Sequence, residues 1–481
     1  MFFARLALLL QKKSLTPMTE TLQSLFAQTT GREAELVMPL TPAGSNRRYY
    51  RLVADGKSLI GVIGTSVEEN EAFLAIDKQL RSKGLSVPVV YAVSADRHCY
   101  IQEDLGDVSL FQRIQCGEAD ALLEKTMRQL PALQFGGADG FDFSICYPSP
   151  AMDRRSIRWD LNYFKYCFLK SAGVEFSESI LEDEFECLAD VLLSEPFDTF
   201  MYRDFQSRNV MVKDDEPWFI DFQGGRRGPL YYDVASFLWQ ARAGFSPAQR
   251  ERLIDVYLDA LQPYRATDKE TFMQKLRYFV LFRLMQVLGA YGFRGFVEHK
   301  AHFLQSMPLA IESLGQELKE PFAELPYLTV LLNKVVEQPR FAPVVKEDGL
   351  TVEITSFSYR RGIPEDISGN GGGFVFDCRA IHNPGRYELY KPFTGMDQPV
   401  IDFLDQTEGM AHFLENVYSL VDQAVERYIA RGFDHLMVNF GCTGGQHRSV
   451  YAAEHLARHL KENYPVHILL THREQNHQRK I

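Results

Sequence analysis

Seven cysteines, odd in number and without paired spacing, exclude the stapled framework of a small secreted domain and suit a reducing compartment. Nine of the twelve histidines fall beyond residue 346, yet neither H-E-x-x-H nor a paired Cys/His spacing occurs there, so no resident metal site is expected in that region. No apolar run reaches membrane length. The first ten residues are apolar but are broken by Arg5 and followed by Gln11, Lys12 and Lys13. Ten residues do not cross a bilayer, and the charge follows the apolar run instead of preceding it as in a secretory leader. Met18 opens a better start, so residues 1–17 read as an upstream extension and the protein as cytoplasmic, without a membrane partner. Positive charge is also scarce. With 52 Lys and Arg against 63 Asp and Glu, the net charge is −11, which argues against broad nucleic-acid binding. What is present, 46% hydrophobic and 24% charged residues over 481 positions, is ordinary globular composition with length for two or three domains.

The chain is organised around residues 202–221. Tyr202-Arg-Asp-Phe-Gln-Ser-Arg-Asn209 places Asp204 and Asn209 five residues apart, the spacing of the kinase catalytic loop H-R-D-x-x-x-x-N. Asp221 follows a hairpin's length later, in Ile220-Asp-Phe-Gln-Gly224. Phosphoryl transfer is mostly positioning and charge neutralisation. It calls for a carboxylate beside the attacking hydroxyl, the place of Asp204. A carboxamide and a second carboxylate, Asn209 and Asp221, are then needed to hold Mg²⁺ against the triphosphate of ATP. Strand-like runs at 209–212 and 218–220 put these two on adjacent strands.

Ahead of this stretch, residues 35–40, 49–53, 58–64, 87–93 and 99–103 read as strands, with a helical period over 68–82. The loop 41–50 stands where phosphates would be covered. It has one glycine, so G-x-G-x-x-G is absent; the N–H groups of Gly44, Ser45 and Asn46 and the charges of Arg47 and Arg48 are its anion donors. The strand that would carry a phosphate-binding lysine has none, and Lys57 lies toward the turn, so either an arginine substitutes or ATP binding is weak. Glu71 is the expected helix partner of that cation, and Glu103 marks the hinge where backbone meets adenine. Helical periodicity then recurs over 119–134, 157–170, 180–193, 247–262, 269–289 and 300–319. Asp233, in Tyr232-Asp-Val-Ala-Ser236, reads as a buried acid bracing the catalytic loop.

These motifs carry a resemblance. Residues 18–325 resemble the aminoglycoside phosphotransferase and choline kinase family, and within it the kinases that phosphorylate N-acetylmuramate and N-acetylglucosamine at the anomeric hydroxyl. The resemblance implies a bilobal protein-kinase-like fold, with a small lobe over 18–103 and a helical lobe over 104–325. It also implies that Asp204 is the catalytic base, that Asn209 and Asp221 are metal ligands, and that a sugar or amino sugar is the substrate.

Prolines 326, 339 and 343 mark a linker over 326–346, with one short apolar helix at 329–336. Beyond it, strands at 350–357, 374–379, 434–440 and 467–471 alternate with helices at 412–431 and 450–462, which gives a small α/β domain over 347–481 with a mostly parallel sheet. The informative stretch is Cys442, Thr443, Gly444, Gly445, Gln446, His447, Arg448 and Ser449, between a buried strand and a helix. Glycines let the backbone curl, several N–H groups point inward, the helix adds its N-terminal partial charge, and Arg448 can clamp an anion. The C-x-x-x-x-x-R-S spacing also resembles the loop of cysteine phosphatases, with Cys442 as nucleophile.

A longer likeness covers 352–473. Ser356-Phe-Ser-Tyr-Arg-Arg-Gly-Ile-Pro364, Lys391-Pro-Phe-Thr-Gly-Met-Asp-Gln-Pro-Val400 and Gly441-Cys-Thr-Gly-Gly-Gln-His-Arg-Ser-Val-Tyr451 resemble the C-terminal domain of the RapZ family of RNase adapters. That resemblance implies a phosphosugar ligand such as glucosamine-6-phosphate at residues 442–449, and a small regulatory RNA as partner. Gly385 and Arg386 replace the family's His and aromatic after Asn383-Pro384. Residues 346–481 carry 14 Lys and Arg against 18 Asp and Glu, a poor footprint for RNA, with only the tail 472–480 basic. Two readings follow: a sugar kinase with a phosphosugar-binding domain, or a nucleotide- and phosphosugar-sensing adapter acting on RNA or protein. The joint presence of Asp204, Asn209 and Asp221 favours the first, because a binding module has no use for the base.

Overall fold

The computed structural model describes residues 17–40, 47–341, 349–364, 366 and 372–481; Gly44, Ser45 and Asn46 lie outside the described residues. The chain divides into two compact units, the first within Met1–Ala290 and Ser313–Asn333 and the second within Tyr291–Glu312 and Lys334–Ile481.

In the first unit, α1 (Pro17–Thr30) precedes five strands: β1 (Leu36–Pro39), β2 (Arg48–Ala54), β3 (Lys57–Ile63), β4 (Val90–Val93) and β5 (Cys99–Glu103). They form one antiparallel sheet in the order β1-β2-β3-β5-β4. Ala54 pairs with Lys57, and Asp55 and Gly56 between them have φ of 49° and 71°, the left-handed pair that a two-residue hairpin turn needs. Lys57 is therefore exposed at the turn. The strand expected over 87–93 begins only at Val90, after Pro88, which has no N–H to give a ladder. Leu52, Ile63, Cys99 and Ile101 pack on Leu22, Leu25 and Phe26 of α1. Helix α2 (Val67–Ser82) links β3 to β4, its first turn capped by the Ser66 hydroxyl accepting from Glu69 N.

Helices α3 (Asp120–Ala138), α4 (Arg154–Tyr163) and α5 (Glu178–Leu193) follow. The start of α4 is set by a reciprocal cap between Asp153 and Ser156. Four short strands come next: β6 (Thr199–Met201), β7 (Val210–Lys213), β8 (Glu216–Phe219) and β9 (Arg226–Gly228), paired β6–β9 and β7–β8. Helices α6 (Tyr231–Leu238), α7 (Pro247–Leu261) and α8 (Lys269–Gly292) complete the helical part. This is the bilobal protein-kinase-like arrangement.

The second unit holds β10 (Thr351–Ser358), β11 (Phe374–Asp377), β12 (His435–Cys442), β13 (His467–His472) and β14 (His477–Lys480), in the order β11-β12-β10-β13-β14. All neighbours are parallel except β13 and β14, so this is a small α/β domain with a mostly parallel sheet. Val352 and Ile354 of the central strand pack with Leu436, Val438, Ile468 and Leu470, under Val417, Val421 and Val425 of α10 (Glu408–Ala430) and Leu456 and Leu460 of α11 (Arg448–Asn463). Two elements depart from expectation. Helix α9 (Gln398–Asp405) precedes α10, and the basic tail folds back as β14, turned at Asn476 with φ 51°. Among the described residues no helix is long and apolar enough to cross a membrane.

Candidate functional site

The hairpin β7–β8 sets the geometry of the first site. Val210 pairs with Phe219, and Ile220 N donates to Asn209 O at 3.0 Å, so the residue preceding Asp221 lies across the ladder from Asn209. Asp221 has φ 68° and Arg203 φ 74°, left-handed conformations that cost roughly 1–3 kcal/mol each for non-glycine residues and persist where surrounding bonds over-determine them. Those bonds are present. Buried Asp233 accepts from Tyr202 N at 2.8 Å and from Arg203 N at 2.9 Å. The Tyr202 hydroxyl donates to Ile220 O, and Ser207 donates twice to Gln240 Oε1. The Asn209 amide nitrogen donates to Asp204 O at 2.8 Å, which turns the amide oxygen to the other side. Asp204 itself is partly exposed, 3.8 Å from Arg283 Nη2. A carboxylate so held can accept a proton from a hydroxyl brought beside it.

Asp233 is the brace the sequence suggested, and its environment has a pH consequence. Burial pushes its carboxyl up to about 7, against the pull of the two N–H donors. A carboxyl whose folded pKa lies above the ordinary 3.8 binds its proton more tightly in the folded chain. The stability it contributes is complete below that ordinary value and is lost as pH rises through the folded one. Urea unfolding of wild type and Asp233→Asn at several pH values between these limits should therefore give a stability difference that changes with pH, wild type losing more as pH rises. Parallel profiles contradict the assignment.

Over the hairpin stands a buried cation that β3 does not supply. Arg47 is 2% exposed, donates to Glu69 O at 3.3 Å, and lies 3.7 Å from the Glu69 carboxylate and 5.5 Å from the Phe73 ring. Burial works against its charge, but Tyr100, Tyr49, Glu69 and Asp221 hold it and raise its pKa. Burial likewise raises Asp221, with Asp204 adding to it and Gln223, Arg47 and Arg208 opposing. Phe222 stacks on Phe73 at 4.9 Å, tying α2 to the Asp221 turn. Glu71, the expected partner of the cation, instead pairs with Arg97 at 3.1 Å on the surface; Glu69, two positions earlier on α2, is the carboxylate that faces Arg47. Arg48 turns outward toward Met18 Sδ. Glu103 donates its N–H to Val89 O, and its carboxylate accepts from Val89 N and from Lys213 of β7, so its N–H and carboxylate are already engaged.

Beside Asp204 lies a cluster that no motif announced. Arg283 donates to the Tyr232 hydroxyl and to Gln286, Gln286 donates to Asp160 Oδ2 at 2.7 Å, and Arg203 lies 3.8 Å from Asp160 Oδ1. Arg226, 2% exposed, donates through Nε to Gly224 O, while its Nη2 is buried with no hydrogen-bond partner among the described residues. Burial and the nearby Arg203 push Arg226 down to about 10. Three guanidiniums meet two carboxylates here, an excess of positive charge.

The oxygen donors Asn209 and Asp221 fit a hard divalent ion such as Mg²⁺. Among the described residues no group of three or more His, Cys, Asp or Glu forms a cage. A site completed by nucleotide phosphates needs none, because Mg²⁺ commonly takes one or two carboxylates plus phosphate oxygens.

The second site is the turn from β12 into α11. Burial pushes the Cys442 thiol up, but hydrogen bonds from Ser449 and Gly445 N, both at 3.2 Å, and the charge of Arg448 outweigh it and lower the pKa. Gly445 has φ 63°, and a Cβ there would meet Glu474 Cγ at 2.3 Å and Ser358 N at 2.8 Å. Ser358 Oγ donates to Thr443 O at 2.7 Å. Thr443 and Gly444 face solvent. Gln446 donates to Lys391 O and Phe393 O, both at 2.8 Å, and His447 Nε2 lies 3.0 Å from Tyr390 O. Arg448 departs from the expected clamp: its Nη1 donates to Arg379 O and Ile381 O at 3.1 and 2.8 Å, and its Nε is buried without a hydrogen-bond partner among the described residues. Its guanidinium braces the loop.

A kinase-like first unit with these acids and a glycine-bearing strand–loop–helix turn in the second define a two-part protein. Residues 37–267 match the model of the phosphotransferase enzyme family, and residues 350–476 match that of the RapZ C-terminal domain. The chain carries one domain of each. Among known proteins it is similar to a nucleotide-binding protein of Aromatoleum aromaticum, 40% identical over 134 residues that cover 28% of this chain and 43% of that one. A nucleotide-binding protein of Fervidobacterium nodosum is 32% identical over 185 residues, 35% of this chain and 64% of that one. The chain thus spans about half the length of the curated relatives it matches. Among solved structures, the choline kinase LicA of Streptococcus pneumoniae aligns with TM-score 0.45 at 13% identity, covering 63% of this chain and 100% of that one. Amicoumacin kinase hAmiN, solved with AMP-PNP and Ca²⁺, aligns with TM-score 0.45 at 13% identity, covering 69% and 97%. At that distance nothing about substrate passes from them to this chain.

Proposed function

We propose that the chain is an ATP-dependent kinase of a sugar or amino sugar of the N-acetylmuramate and N-acetylglucosamine type, with a C-terminal domain that binds a hexosamine phosphate. The observation that carries the first half is the meeting of Asp204, Asn209 and Asp221 around one hairpin, with buried Arg47 above it. In this reading Asp204 accepts the proton of the acceptor hydroxyl as that oxygen takes the terminal phosphoryl group of ATP. Asn209 and Asp221 hold Mg²⁺, which neutralises charge on the phosphates when bound. Arg47, oriented by Glu69, stands in for the absent strand lysine. The guanidinium excess at Arg203, Arg226 and Arg283 favours the acidic member of the substrate pair, because it places net positive charge beside Asp204, where the acceptor would bind. Steady-state kinetics on both sugars tests this: Arg226→Met should raise KM for N-acetylmuramate and leave N-acetylglucosamine little changed. Equal effects on the two contradict it.

In the second unit we propose that the N–H groups of residues 443–445 and the amino end of α11 hold the phosphate of a sugar phosphate. A cysteine phosphatase needs its loop arginine on the anion, whereas Arg448 Nη1 is engaged by two carbonyls, which favours binding over turnover. Loss of those two charge-assisted bonds, about 1.5–3 kcal/mol each, should make Arg448→Ala bind glucosamine-6-phosphate at least tenfold more weakly by calorimetry of the full chain. Unchanged affinity contradicts the loop assignment, and Cys442-dependent release of phosphate would favour the phosphatase.

A further inference from the structure

The two buried cysteines of the second unit stand next to each other at the ends of neighbouring strands. In the parallel pair β11–β12, Phe374 is opposite Val438, Phe376 opposite Phe440 and Asp377 opposite Gly441. The Phe376 and Phe440 rings stack at 5.5 Å, so laterally paired residues share a face. One position beyond the last paired residues stand Cys378, in the turn that follows β11, and Cys442, the last residue of β12; both are free thiols, 0% and 3% exposed, in one core cluster, and close enough that Cys442 helps to raise the Cys378 pKa. Parallel neighbours lie roughly 4.8 Å apart, inside the roughly 4.4–6.8 Å between Cα atoms that a disulfide spans. The turn carrying Cys378 (Cys378–Ala380) is fastened to the anion loop, because Arg448 Nη1 bonds to Arg379 O and Ile381 O.

We infer that Cys378 and Cys442 form a peroxide-responsive thiol pair, a modification site whose oxidation disables the anion loop. The inference rests on the proposal that residues 442–449 bind phosphate. The two thiols are suited to different halves of the chemistry. Cys442 accepts from Gly445 N and meets the Ser449 hydroxyl, the setting that favours a thiolate, whereas burial holds Cys378 well above the ordinary thiol range. Thr443 and Gly444, the residues that follow Cys442, face solvent, and a Cβ placed on Gly444 would meet nothing within 4 Å, so a small oxidant need pass only this stretch of the loop to reach the buried thiol. The Cys442 thiolate attacks one oxygen of hydrogen peroxide; the O–O bond breaks, hydroxide leaves and takes a proton to become water, and the sulfur becomes a sulfenic acid. The Cys378 sulfur then attacks that sulfur; the S–O bond breaks, the departing hydroxide takes the thiol proton as a second water, and the disulfide forms. Two thiols lose two electrons in all and one peroxide becomes two waters. The linked Cys442 no longer accepts from Gly445 N, and the Cys378 turn is drawn against the arginine that braces the loop. Anion bound over Cys442 should in turn keep peroxide away.

The test treats the full-length protein with hydrogen peroxide, blocks remaining thiols and maps peptides by mass spectrometry, with and without inorganic phosphate. A Cys378–Cys442 linked peptide, reversed by dithiothreitol, is the expected first product. In Cys378→Ser, Cys442 should proceed to sulfinic acid instead. Over-oxidation of Cys442 in wild type without a linked peptide overturns the pair, and this arm needs no variant to fold. Phosphate should slow the linkage, and the linked form should no longer bind phosphate by calorimetry. Linkage at the same rate with phosphate present overturns the anion reading of the loop while leaving the thiol pair standing, so the two failures are distinguishable.

Discussion

Asp204→Asn should lower phosphoryl transfer by about 10²–10⁴-fold, the usual contribution of a positioned general base, while melting at the wild-type temperature. Stability should be preserved because Asp204 is partly exposed and its one ion-pair contact among the described residues, with Arg283 at 3.8 Å, is long. The backbone carbonyl that receives the Asn209 amide is unaltered by the change. ATP binding in the presence of Mg²⁺ should persist, because the substitution leaves Asn209 and Asp221 in place. The check is single-turnover transfer beside calorimetric ATP titration. An Asp204→Asn enzyme with wild-type rates would assign the base elsewhere.

The second large effect is expected at Arg47. It is the buried cation between Glu69 and Asp221, and a fixed positive charge aimed at a transferring phosphoryl group commonly contributes about 10²–10³-fold. Arg47→Met keeps much of the side-chain volume against Phe73 and removes the charge, so both ATP affinity and turnover should fall. Glu69→Gln should reproduce a smaller part of the loss, through misplacement of Arg47. Glu71→Gln should have no effect, because Glu71 pairs with Arg97 at the surface. Equal losses from the two glutamates would show that the α2 partner is misassigned.

The difference between Glu69 and Glu71 shows where the sequence stops being informative. Both are acidic and near the start of one amphipathic helix, and which of them faces the sheet depends on how α2 is rotated on the strands, a tertiary fact. Asp204, Asn209 and Asp221 were legible because their spacing is local: one turn and one two-stranded hairpin bring them together whatever the rest does. Asp233 was legible as a buried acid in an apolar run. Asp160, Arg226 and Arg283 come from α4, β9 and α8, and nothing local in those segments says that they converge. In the second unit, alternating strands and helices gave the parallel sheet. Strand β14 escaped because an edge strand exposed along its whole length needs no apolar alternation. The loop at residues 442–449 stood out by its glycines, but the engagement of Arg448 with the carbonyls of Arg379 and Ile381 depends on a turn some 70 residues earlier.

Everything proposed for the first unit turns on phosphoryl transfer from ATP to a sugar hydroxyl at Asp204. Its most direct test is incubation of the full chain with ATP, Mg²⁺ and either N-acetylmuramate or N-acetylglucosamine, with the sugar product identified by mass spectrometry and ADP counted in parallel. The expected product is a sugar carrying one added phosphoryl group, formed in step with ADP, faster with the acidic sugar and absent with Asp204→Asn. ADP formed without a phosphorylated sugar, or a phosphorylated sugar formed equally by Asp204→Asn, would contradict it.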